Sequence, residues 1–382
     1  MSFNPEHALG GAAMHRNSEH PRTALTAAQA KPLLEGLWVP QPARYWADFL
    51  LSIGVGGFAF AMVRLSPLFS VQQVGFFLVA GLLYYRAAMF IHELVHLKPG
   101  TMRAFRVVWN LLCGIPFLIP SFVYYPHRDH HRGNHYGTDH DGEYLPLEHR
   151  PRWHMVAFLL QGLYIPPLAV LRFLVLTPLG WINPALGGWV YQRASSMIID
   201  PRYQRPGPTP AERRVIRLQE TACFLWCLGI ASVPPLFLGR WPIPFLVHAY
   251  ATAVFIVTLN ALRTLGSHRW SNAGGQMRFA EQVLDSVNYA ARPWITELWG
   301  PVGTRYHALH HFLPALPYHA LPEAHRRLMA GLPADSPYRR TVATSLTEVL
   351  LDLWRRSGRR REEGIETVAA VSSAEAANQP RG

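Results

Sequence analysis

Apolar residues run in long blocks along this chain. Four stretches, residues 49–63, 65–85, 221–239 and 241–262, hold no charged side chain, and Glu220 and Arg240 stand at their borders. A helix needs about 20 apolar residues to cross a hydrocarbon core, and each stretch comes close to this, the first only with its flanks. Two further apolar stretches, 107–126 and 155–192, are interrupted by Pro116, Pro120, Pro166, Pro167, Pro178 and Pro184, and the second also carries Arg172. Broken runs of this kind predict re-entrant or interfacial helices that cover a site rather than further spans. The pattern predicts an all-α polytopic membrane protein: about four transmembrane helices in two hairpins, with a helical cap on one side.

The polar ends differ from this body. Residues 1–44 mix Ala, Pro and scattered charges without a secretory signal, and read as a flexible cytosolic tail. Residues 45–345 form the membrane-embedded catalytic unit. Residues 346–382 pass through Arg-Arg-Ser-Gly-Arg-Arg-Arg into an Ala/Ser/Glu-rich stretch, an amphipathic and basic tail that ends in the composition of disorder.

Composition narrows the chemistry. Charged residues make up only 16% of the 382, and the net charge of +12 comes from arginine, since Lys31 and Lys98 are the only lysines. Among so many membrane-length segments the anionic partner is the lipid headgroup layer, not nucleic acid. Cys113, Cys223 and Cys227 all lie inside apolar runs, which excludes a disulfide framework and a cysteine-ligated zinc or iron-sulfur centre. Any metal therefore depends on histidine.

Charge asymmetry sets the topology. The turns inside the two hairpins carry only Arg64 and Arg240, whereas Arg86, Lys98, Arg103, Arg106, Arg128, Arg132, Arg263, Arg269 and Arg278 fall on the other side. The positive-inside rule then makes both termini cytosolic, together with three clusters of histidine.

Those clusters carry the chemistry. His92 and His96 are four residues apart at the end of the second run; His127, His130 and His131 follow, and His307, His310 and His311 repeat their i, i+3, i+4 spacing. On a helix this spacing places the imidazoles on one face. His92 to His96 also matches the zinc-protease motif His-Glu-x-x-His, with Glu93 as base, but that reading leaves the other two clusters unexplained. By ligand type alone an imidazole cluster suits iron, zinc, copper or nickel. Eight or nine imidazoles exceed what one ion takes and suit two.

The boxes His-x-x-x-His, His-x-x-His-His and His-x-x-His-His resemble those of the membrane fatty acid desaturase and hydroxylase superfamily, bacterial members in particular. The segments 136–146 and 310–322 that follow the second and third boxes are similar too, and the likeness spans residues 45–332. The resemblance implies two iron ions that activate dioxygen, held by His92, His96, His127, His130, His131, His307, His310 and His311. It also implies an extra ligand between the last span and the third box, for which His268 is the candidate. Where some members carry an asparagine four residues before that histidine, this chain has Thr264, and Asn260 lies deeper.

Metal-bound imidazoles give their other ring proton to a carboxylate or carbonyl, which makes Asp139, Asp141, Glu143 and Glu297 candidates for that support, with His135 as a further neighbour. His248 lies twenty residues before His268, about 30 Å along a helix, and is too far away to join. His140, His319 and His325 are left open.

The implied activity is dioxygen-dependent desaturation of a lipid acyl chain. Hydroxylation or ketolation of an alkyl lipid, carotenoid or sphingolipid is the alternative, and a non-catalytic metal- or haem-binding membrane protein is a third reading. With no haem, flavin or iron-sulfur signature of its own, the chain needs a separate electron donor: a ferredoxin, haem protein or reductase. The expected location is a bacterial inner membrane.

Overall fold

The computed structural model describes residues 27–357, so expectations for residues 1–26 and 358–382 lie outside the described residues. The fold is all-α. Extended pairing among the described residues is limited to isolated bridges, His268 with Ser286 and Asn288 with Tyr306 and Val342.

Among the described residues five helices, not four, are long and apolar enough to cross a membrane: α1 (Pro42–Leu65), α2 (Val71–His96), α3 (Trp153–Ile182), α4 (Pro210–Leu238) and α5 (Ile243–Ser267). The additional one is the second broken stretch. Pro166 and Pro167 sit inside its helical segment without ending it, and a π-helical turn at Arg172–Leu176 follows before the helix resumes at Thr177. Prolines remove backbone donors and bend a helix, and a wider turn can absorb the mismatch.

Connectivity shows which helices are paired. α1 and α2 form a hairpin in which Ser70 caps α2 and Gln73 Nε2 donates to the Val63 carbonyl across the turn. Gly56 receives the Tyr84 ring so closely that a Cβ there would lie 2.8 Å from it. α4 opens with a Thr209 and Glu212 capping box, and Glu212 accepts from Arg128 of the second histidine box. α5 ends directly at His268. α4 and α5 thus leave from and return to the histidine side.

Helix α3 also starts there, and the chain beyond it comes back. At its head Arg152 donates to the carbonyls of Trp354 and Ser357. Past its end the chain turns back through Pro184–Arg193, with Gly187 against the Gly180 backbone. It then reaches the loops of the second box, where the Met197 N–H donates to Val123 and the Ile199 N–H to Gly142. The buried Arg172 fixes this return by pairing with Glu220 of α4 and donating to Ser195 Oγ at 2.8 Å. The chain through α3 and its return segment Pro184–Arg193 therefore starts and ends at the histidine side, which is how all three histidine clusters can meet.

Large apolar side chains remain exposed along these helices and at their far turns, among them Phe69, Val71, Leu236 and Phe237. That is the surface of an integral membrane protein, whose solvent at those positions is lipid. The cap closes over the histidine ends. It includes α6 (His307–Phe312) and the amphipathic α7 (Leu346–Arg356), which buries Val349 and Leu353 and ties Arg356 to Glu148. Residues Ala30 and Leu34, ahead of α1, pack with Leu309, Leu321 and Leu328.

Candidate metal centre

Each box reaches the centre on a different element. At 26 residues α2 is about 39 Å long, so its last turns outrun a hydrocarbon core of about 30 Å and lift His92 and His96 clear of it. The second box follows a 3-10 turn at Ser121–Tyr124 and sits on a single helical turn, His127–His130, with His131 at its end. α6 carries the third box. Asn288 fixes its position: Oδ1 accepts from the Leu309 N–H at 3.0 Å, and Nδ2 donates to Thr341 Oγ1 at 2.8 Å. His268 leaves α5 in extended backbone, pinned by its bridge to Ser286.

All nine imidazoles converge. Ligand atoms of His92, His96, His127 and His310 lie within 4.8 Å of one another, and so do those of His130, His268, His307 and His311. His131 stands between these two quartets, its Nε2 3.0 Å from those of both His127 and His310. Its ring stacks on His311 at 4.3 Å.

Buried partners orient the rings. His127 Nδ1 is 2.9 Å from Glu143 Oε2, and His130 Nδ1 is 2.8 Å from Asp141 Oδ2. Asp141 is itself fixed by the N–H groups of Gly137 and Glu143. The Tyr136 hydroxyl donates to Asp285 Oδ2 at 2.9 Å and lies 2.9 Å from His268 Nδ1, with Ser286 Oγ at 3.3 Å. Each of these acceptors holds the proton on Nδ1, leaving Nε2 as a bare lone pair turned inward.

Electrostatics favour neutral rings at most of these positions, the exception being His130, which Asp141 holds above the usual histidine range against the pull of burial. Burial, reinforced by neighbouring imidazoles, pushes His127, His131, His307, His310 and His311 far below the usual histidine range. Burial also pushes the Glu143 carboxyl up to about 8. Neutral imidazole is the form that binds a cation.

The nitrogens are spaced as ligands. His268 and His307 Nε2 are 2.9 Å apart, and His311 and His307 Nε2 are 3.1 Å apart. Two nitrogens bound at about 2.1 Å to one ion and at right angles to each other sit about 3.0 Å apart. Two bare lone pairs this close repel unless a cation or a ring proton lies between them, and both ring nitrogens of His92 and Nδ1 of His307 are buried without a hydrogen-bond partner. The residues present therefore fit two metal ions.

A family profile described as fatty acid desaturase matches residues 69–342, which contain every one of these imidazoles. The chain belongs to the fatty acid desaturase family. It is also 38% identical over 355 residues to a ceramide hydroxylase of Caulobacter vibrioides (strain NA1000 / CB15N), covering 92% of this chain and 96% of that protein. Membership in the desaturase and hydroxylase superfamily makes the chain an oxidoreductase acting on lipid, and the named relative favours the hydroxylase alternative over the desaturation put first from the sequence.

Among the neighbours expected from sequence, Asp141 and Glu143 meet imidazoles, and three others do not. Glu297 pairs with Arg86 and Arg305 at the base of the cap, because two guanidinium groups compete for it. His135 faces Asp129 at 3.7 Å and the His140 ring, and Asp139 is exposed. His319 accepts from the Gln41 N–H, His325 contacts the Tyr338 hydroxyl, and His248 bonds the Pro244 carbonyl near the start of α5. Glu93 accepts from Tyr45 and the Tyr318 N–H, so the base of a zinc-protease motif is turned toward α1. Sequence reasoning missed Tyr136, Asp285 and Ser286; proximity to the second box was a signal for the first, and the other two, 17 and 18 residues past His268, carried none.

Proposed function

We propose that this chain hydroxylates a ceramide-type lipid, using two irons held by His92, His96, His127 and His310 on one side and His130, His268, His307 and His311 on the other, with His131 between them. What carries the reading is the relative described as a ceramide hydroxylase, matched almost end to end in both chains. The double quartet of imidazoles supports it.

In the overall reaction one C–H becomes C–OH. Dioxygen supplies that oxygen, and the second oxygen leaves as water with two electrons and two protons from outside. Bound iron supplies the dioxygen activation and the removal of hydrogen from an unactivated carbon, which no side chain can do. The protein's own groups do the rest. Glu143, Asp141 and the Tyr136 and Asp285 pair hold the ring protons on Nδ1, and the apolar helices bring the lipid from the membrane to a site shielded from water. A separate protein delivers the electrons. The arginines and lysine that cluster on the histidine side support a reading in which that side faces the cytosol at a bacterial inner membrane.

Expression in a ceramide-producing host tests the proposal. Ceramides should gain one oxygen with the wild type and not with His310→Ala. Loss of two hydrogens instead would restore desaturation as the activity, and unchanged ceramides would sink the substrate assignment.

A further inference from the structure

Arg263 is a buried cation in a surprising place. It lies on α5, one turn before His268, and is only 6% exposed. All of its hydrogen-bond partners are neutral: Asn260 Oδ1 and Thr264 Oγ1 at 3.2 and 2.9 Å, and Ser267 Oγ at 3.4 Å, with the Tyr85 hydroxyl also in reach. Its charge acts on His92 and His307, one ring from each quartet, and on Glu143.

Burying a guanidinium without an ion pair is strongly unfavourable, and placing it beside two metal cations makes it more so. An ionisable residue near the end of a membrane helix, facing the interior, marks a substrate path. A pure hydrocarbon substrate would give this cation nothing to bind. Asn260 takes Nε and, with Thr264, Nη2, while Nη1 has the long 3.4 Å contact to Ser267 and the Tyr85 hydroxyl within reach, so the donors are met only by neutral oxygens and the most weakly held of them is left to a stronger acceptor.

Building on the ceramide reading above, we propose that Arg263 binds the polar backbone of the substrate, donating to the amide carbonyl or an adjacent hydroxyl oxygen of an N-acylated long-chain amino alcohol. The polar linkage is then held beside the imidazoles. Oxygen consequently enters within the first few carbons of the amide or hydroxyls, not far along either chain.

The test uses purified full-length protein loaded with iron, in detergent, and measures competition against radiolabelled ceramide. One competitor is ceramide; the other is a dialkyl ether of equal chain lengths that lacks the amide and hydroxyls. Arg263→Ala should weaken ceramide binding by about tenfold to hundredfold, as expected for a hydrogen bond to a charged donor, and should leave ether binding and iron content unchanged. Equal ceramide binding by wild type and variant overturns the assignment, as does an equal loss for both ligands.

If the alanine chain fails to fold or to hold iron, Arg263→Lys and Arg263→Gln decide. Affinity falling from Arg to Lys to Gln for ceramide and flat for the ether supports the contact; a flat series for both overturns it. A wild type that neither prefers ceramide to the ether nor hydroxylates it refutes the functional reading itself, and the arginine's role with it. A wild type that does both, with variants indistinguishable from it, refutes only the arginine. The hydroxyl position, read by fragment mass spectrometry, gives a further check: a hydroxyl far from the amide contradicts the contact.

Discussion

The two imidazole quartets are built from the same residue type but supported differently. In the quartet of His130, His268, His307 and His311, two rings lean on fully buried aspartates. Asp141 is fixed by backbone N–H groups, and Asp285 by Ser271 and Tyr136. In the quartet of His92, His96, His127 and His310, His127 alone has a carboxylate partner, and that partner, Glu143, has one oxygen buried without a hydrogen bond. The first arrangement offers a metal more negative charge and a stiffer set of ligands. Its ion should be held more tightly, and the other quartet should hold the more exchangeable ion.

The largest effects should come from the ligands. His310→Ala and His307→Ala should each lower activity by more than about a hundredfold, since removal of an outer-shell partner alone typically costs 10–100-fold. Both variants should still insert in the membrane, as measured by membrane fractionation. Asp141→Asn and Asp285→Asn come next: each should weaken metal retention by about tenfold or more under titrated chelator, selectively for one of the two ions. Glu143→Gln should have a smaller effect on the other ion, because burial pushes the Glu143 carboxyl up to about 8 and a neutral amide there removes less charge than at Asp141, which His130 keeps below the usual carboxylate range. If the glutamine change proves the more damaging, the ranking of the quartets is reversed. Asn288→Ala should cost about 1–3 kcal/mol in stability by orphaning the Leu309 N–H, read as a lowered Tm, and lower activity less than loss of a ligand does, because the third box keeps its imidazoles but loses one anchor.

Most of this centre was legible in the chain because helical spacing and ligand chemistry speak locally. All nine imidazoles, including His268, could be named from the sequence, as could Asp141 and Glu143 just beyond the second box. Asp285 could not. It reaches His268 through the bridge between His268 and Ser286 and through Tyr136 on another segment, and long-range pairing of single residues leaves no periodic trace. Glu297 failed for the converse reason: its fate depended on Arg86 and Arg305, distant in sequence and stronger partners than an imidazole. Five membrane-length helices stand among the described residues where the pattern of apolar runs predicts about four, because α3 carries Pro166 and Pro167 and a π-helical turn as one helix. Desaturation and hydroxylation share the same ligand spacing, so the choice between them required a relative.

Iron counted per chain by elemental analysis, on purified wild type, His92→Ala and His130→Ala, tests the shared two-metal site most directly. The account predicts two irons in the wild type. Each variant should keep about one, with His92→Ala sparing the more tightly held ion. A single iron in the wild type, or two in both variants, would contradict it.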